Sequence, residues 1–153
     1  MKKYVDIRNI KPDDQKQKDT MLEIIRNGDD PFSMRNLAKY HKKPIKATSK
    51  DWILTENQYY TDADKRLLLI LKKYKENFME LTSAEWSDLR LLLRKAIKTH
   101  KIKGGGFAMR FGDTEKSGAT VKHLHSHLIE PNPKSKNYQP VSFFIGRRKT
   151  EKK

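Results

Sequence analysis

His123-Leu124-His125-Ser126-His127-Leu128-Ile129 holds three of the chain's five histidines, set at every second position. Successive side chains of a β-strand point to opposite faces, so this spacing predicts a strand with the three imidazoles on one face and Leu124, Ser126 and Leu128 on the other. A helix turns about 100° per residue and would send His125 away from His123 and His127. The apolar Leu128 and Ile129, then the stops at Pro131 and Pro133, complete a strand over Val121 to Ile129.

The 153 residues suit one domain able to bury its own core. With no cysteine, disulfides and thiolate metal sites are excluded. No apolar run approaches the length of a membrane span, and none follows the lysines at the start, so a cytoplasmic protein with neither span nor signal peptide is expected. Lys plus Arg number 34 against 19 Asp plus Glu, and a net charge of +15 draws polyanions such as nucleotides or nucleic acid. A lysine-rich solvated surface accounts for the same excess, and charge alone does not choose.

Working outward, Gly112 to Thr120 is a loop rich in Gly, Ser and Thr, and Phe107, Met109 and Phe111 alternate as the strand before it. Thr82-Ser83-Ala84-Glu85 has capping-box spacing, followed by Trp86, Leu89, Leu93, Ala96 and Ile97 on one face of a long helix. Leu67 to Leu71 reads as a strand buried on both faces, and Asp51 to Glu56 as a half-exposed one. Upstream, Asp13 to Arg26 predicts a helix stopped by Asn27-Gly28, and Ser33 a cap for a short helix carrying Leu37 and Tyr40. Val141 to Gly146 reads as a last short strand. The division expected is an N-terminal helical extension (1–44), a main domain (45–146) and a basic tail (147–153).

Imidazoles in a row permit three readings. Zinc is one, but at about 3.3 Å per residue His123 and His127 would have Cα atoms roughly 13 Å apart, against Zn–N bonds of about 2 Å. Nucleophilic catalysis on phosphorus is another. A neutral ring with one nitrogen held by a hydrogen bond presents the other as nucleophile, while a neighbouring ring handles the leaving-group proton. The loop from Gly112 to Thr120, with Lys116 and Lys122, could then hold a phosphate oxyanion. Three exposed surface histidines are the third reading.

The run Gly118-Ala119-Thr120-Val121-Lys122-His123-Leu124-His125-Ser126-His127-Leu128-Ile129 resembles the signature of the histidine triad (HIT) superfamily, with Ser126 where an apolar residue is usual. The likeness covers roughly Ile45 to Gly146, including Glu56-Asn57-Gln58-Tyr59-Tyr60 and Leu67 to Lys73. It implies an α+β, HIT-like fold: an antiparallel sheet of about five strands with a long helix packed across it, commonly in a homodimer. It also implies hydrolysis or transfer of nucleoside phosphates, such as dinucleoside polyphosphates or phosphoramidates, through a covalent nucleotidyl-histidine and without a cofactor. By position His125 would be the nucleophile, His127 would serve the leaving group and His123 would support the row. Asn57 would meet the ribose, and Arg110, Gly118 and Thr120 the phosphate. The alternative is a weakly catalytic or non-catalytic HIT protein that binds nucleotides or nucleic acid, of the kind directed to adenylated DNA ends.

Relatives often carry a zinc site, whose places here look to be Asp30, Ser33, Tyr74 and His123. Since only His123 remains of the usual ligands, no structural zinc is expected. Arg66 and Leu71 stand where a histidine and a proline are usual, which bears on the residues supporting the nucleophile.

Overall fold

Five strands, β1 (Ile45–Thr48), β2 (Trp52–Glu56), β3 (Lys65–Leu71), β4 (Gly106–Met109) and β5 (His125–Glu130), form one antiparallel sheet in the order β1-β2-β3-β5-β4. The computed structural model describes residues 1–60 and 62–149, so part of the expected basic tail (150–153) lies outside the described residues. Among the described residues four α-helices accompany the sheet: α1 (Gln15–Asn27), α2 (Leu37–Tyr40), α3 (Ser83–Thr99) and the single turn α4 (Thr114–Ser117). This is the α+β arrangement expected.

Alternation along the strands sorts their side chains into two buried layers. Trp52, Leu54, Leu67, Leu69, Leu71 and Leu128 face α3 and meet its Leu89, Leu92 and Ala96. The Trp52 indole N–H donates to the Glu85 carbonyl at 2.9 Å, and the predicted capping box closes between Thr82 and Glu85. The expected helix face is rotated by one row: Trp86 and Ile97 are exposed, and Trp86 packs on Phe78 instead. Two apolar rows run along α3, and the sheet covers only one of them.

The opposite face carries Ile53, Leu68 and Ile70, and the N-terminal region packs on it through Phe32 and Leu37. Further along, Met21 and Ile24 of α1 pack with Val5, Tyr40 and Val121. For this reason β2 is buried on both faces rather than half-exposed as expected, and Thr55 needs internal partners. Its hydroxyl donates to the Pro44 carbonyl at 2.9 Å and accepts from the His41 ring at 2.8 Å. Helix α1 ends at Gly28, whose φ of 66° is the left-handed stop that glycine supplies readily. Ser33 does not cap α2; its hydroxyl accepts from Asn36 N–H in the turn before the helix.

Three further expectations are corrected. The histidine strand starts at His125 instead of Val121, because the preceding residues spend their hydrogen bonds elsewhere: Val121 bridges Val5, Lys122 N–H donates to Tyr4 and Leu124 N–H donates to Lys75. The Gly112 to Thr120 loop contains α4. Residues 141–146 run without ladder pairing, whereas β1, which carried no pattern signal, is a strand.

Leu69 is fully buried and Leu91 is 61% exposed. Urea unfolding is therefore expected to show Leu69→Ala losing about 2–5 kcal/mol and Leu91→Ala changing stability by less than about 0.5 kcal/mol.

Candidate functional site

Within β5, His125 and His127 lie opposite Ile70 and Leu68, on the face turned away from α3. Their ring centroids are 5.3 Å apart, so the two-residue period does bring this pair together. His125 Nδ1 is 2.7 Å from the His123 carbonyl oxygen. A carbonyl can only accept, so Nδ1 carries the proton and Nε2 keeps its lone pair. Burial pushes the His125 ring down to about 4 and His127 well below its ordinary value, with the Arg110 guanidinium opposing a second positive charge at both. Both rings are neutral near pH 7. His127 is buried, and neither ring nitrogen meets a hydrogen-bond partner among the described residues. Leaving such groups unpaired costs about 1–3 kcal/mol each, a cost that a ligand contact would offset.

His123 lies on the same side as the pair, its neighbour Leu124 packing towards α3, but it does not line the cleft, so the expected row opens only two of its three rings to it. Its ring is wholly enclosed, with Nδ1 2.6 Å from an Asp30 carboxylate oxygen and Nε2 2.5 Å from the Leu71 carbonyl. Only its backbone carbonyl reaches the pair. Phe32 stands edge-on to His125, with ring centroids 5.0 Å apart, and reaches His123 at 6.3 Å.

The cleft beside His125 and His127 is bordered by Asn57, Arg110 and Thr120, and on its far side by Thr20 and Met21 of α1. The Asn57 side chain accepts from Tyr59 N–H at 2.9 Å, the turn chemistry its sequence context suggested, while bordering the cleft. Thr120 is fixed through its carbonyl, which accepts from Asp6 N–H at 2.8 Å. Gly118, at φ 75°, lies one step away in a small polar chamber shared with Tyr60, Arg110, Thr120 and Arg148. A Cβ there would sit 2.4 Å from the Gly146 carbonyl oxygen. Lys122 borders a different groove beside Tyr74 and Glu76, and Lys116 borders neither the cleft nor the chamber, so the expected lysine contribution is corrected. Arginines supply the positive charge instead.

Arg110 donates from Nε to the Phe144 carbonyl at 2.9 Å and lies 3.9 Å over the Phe143 ring. Burial lowers it to about 10, still charged at neutral pH. Phe143 in turn packs on His127, with ring centroids 4.9 Å apart. Arg66, on the same sheet face, pairs with Asp62 at 2.8 Å and lies over Tyr60. Sequence reading missed Phe32, Met21 and Phe143 as neighbours of the site. Met21 was legible as part of a helix face, but no local pattern names what that face covers.

The places suggested for a zinc site do not fit the ion. Asp30 and Tyr74 both reach His123, but the two ring nitrogens of His123 are engaged and the Tyr74 hydroxyl donates to Glu76. Among the described residues no group of three or more His, Cys, Asp or Glu side chains could hold a metal.

Scans against protein-family models and curated proteins return no match. Solved structures do match. One described as "Hit Like Protein" aligns with a TM-score of 0.51 and 18% identity, over 58% of this chain and 88% of that one. The Plasmodium falciparum diadenosine triphosphate hydrolase in complex with cyclomarin A gives 0.50 and 22% identity, over 59% of this chain and 62% of that one. A hypothetical protein from Leishmania major gives 0.53 and 16%, over 84% and 82%.

The chain has the histidine triad fold.

In this version of the histidine triad fold the first histidine is an anchor behind the cleft, and the second and third line it. No helix among the described residues is long and apolar enough to cross a membrane. Because the folded rings resist protonation, an NMR titration should place the His125 midpoint near pH 4 instead of 6.5. The unfolded chain binds protons at His125 between those values and the folded chain does not, so the urea midpoint should fall as pH drops from about 6.5 towards 4.

Proposed function

We propose that the chain is a histidine triad family enzyme that hydrolyses or transfers a nucleotidyl group, acting at the α-phosphate of a nucleoside phosphate. The observation that carries this reading is the single lone-pair nitrogen of His125, directed by the His123 carbonyl and set beside the His127 ring, whose nitrogens have no hydrogen-bond partner among the described residues. Nε2 attacks the α-phosphorus, the bond from phosphorus to the leaving group breaks, and the departing atom takes the electron pair. A phosphate drawn against His127 raises the basicity of that ring, so it takes up a proton from solvent as the substrate binds and gives it to the leaving group. Water then attacks phosphorus and gives its proton to His127, the P–N bond breaks with its electron pair returning to Nε2, and His125 is restored with its Nδ1–H still donating to the His123 carbonyl.

In this reading Thr120, Arg110 and the backbone at Gly118 receive phosphate oxygens, Arg110 exchanging the Phe144 carbonyl for one of them, and Asn57 takes the ribose. Met21 and Phe32 supply apolar surface for the base. Dinucleoside polyphosphates and nucleoside phosphoramidates are the substrate classes proposed; the matched Plasmodium falciparum protein is named for the hydrolysis of one such compound. A homodimer belongs to the same proposal, with β4 as a sheet edge open to a second copy.

Incubation with diadenosine triphosphate and with adenosine phosphoramidate, followed by chromatography, is expected to yield AMP. His125→Ala should lower turnover by at least about 10³-fold, since it removes the nucleophile. Turnover retained in that variant overturns the mechanism. Salt-sensitive DNA binding by a protein that turns over neither compound would favour the nucleic-acid reading.

A further inference from the structure

We infer that Asp30, from the N-terminal region, is a positioning residue that sets the tautomer and direction of His125 through His123. The inference rests on His125 being the nucleophile proposed above. His123 lies before β5, where no ladder pair holds it, yet its carbonyl is the group that orients His125. The His123 ring is pinned at both ends, to Asp30 at 2.6 Å and to the Leu71 carbonyl at 2.5 Å. A ring held at both nitrogens cannot flip or swing, and its backbone is held with it.

Asp30 is itself held. It is 8% exposed, its other carboxylate oxygen accepts from Phe32 N–H at 3.1 Å, and its carbonyl accepts from the Ser33 hydroxyl and the Asn36 side chain, each at 3.1 Å. The turn that fixes the carboxylate also delivers Phe32, whose ring stands against both His123 and His125. One short turn thus grips the anchor ring and braces the reacting one.

Without the carboxylate the Leu71 carbonyl is the one hydrogen bond left on the His123 ring among the described residues, its backbone carbonyl drifts, and His125 can protonate at Nε2, the nitrogen the reaction needs unprotonated. If the contact between Asp30 and His123 were purely structural, its loss would lower stability and leave the tautomer of the folded protein unchanged. That difference makes the roles separable.

The test uses the full chain as wild type, Asp30→Ala and Asp30→Asn. Long-range ¹⁵N–¹H spectra report the tautomer, and kcat and KM are measured with diadenosine triphosphate. Wild type is expected to show His125 protonated at Nδ1, and Asp30→Ala a mixture of tautomers with kcat at least about tenfold lower, the usual scale for residues that orient a reacting group. KM should stay within about threefold, and Asp30→Asn, which keeps an acceptor oxygen, should fall between. A pure Nδ1–H tautomer with unchanged kcat in Asp30→Ala overturns the inference; if that variant does not fold, the same result in Asp30→Asn does so. Should wild type turn over no nucleotide, the nucleophile reading fails, while the tautomer spectra of Asp30→Ala still decide whether Asp30 sets the His125 tautomer.

Discussion

A single hydrogen bond, from His125 Nδ1–H to the carbonyl two residues earlier, gives the site its chemical direction. An imidazole has two similar nitrogens, and only an acceptor on one side makes them different. Supplying that acceptor from the backbone requires the residue before the strand to stay out of the ladder. Here Lys122 and Leu124 bond to Tyr4 and Lys75, leaving the His123 carbonyl available. Leaving the sheet early is therefore what makes this geometry possible.

The second constraint is that the sheet is covered twice. Helix α3 seals one face, and the N-terminal region partly seals the other, leaving a cleft between α1 and β5. That cover desolvates two imidazoles, His127 buried and His125 half-buried at the cleft, which is why both resist protonation. It also makes the surrounding arginines more effective, because charge acts more strongly where solvent is displaced. The net charge of +15 is carried mostly by lysines spread along the chain, whereas the cleft itself is bordered by Arg110, with Arg66 on the same sheet face.

Residues close in sequence were read well. The capping box at Thr82, the glycine stop after α1, the doubly buried run in β3 and the pairing of His125 with His127 all depend on neighbours within one turn or one pleat. The miscast elements share a different cause. Trp86 and Ile97 lie on a row as apolar as the buried one, so only the sheet's position decides which row is covered. Val141 to Gly146 has strand-like composition, but Arg110 takes its Phe144 carbonyl and Phe143 packs on His127, outside any ladder.

By itself the amino-acid sequence determined the periodicities behind β2, β3, α1 and α3, that His125 and His127 meet, and that the resemblance leads to an α+β sheet with one long helix. Tertiary structure alone decided that His123 faces Asp30 rather than the cleft, and that the N-terminal region forms the opposite wall of the site. The reason is distance along the chain. Asp30 and His123 are 93 residues apart, and no local spacing records a contact made only when the folded backbone brings the two together.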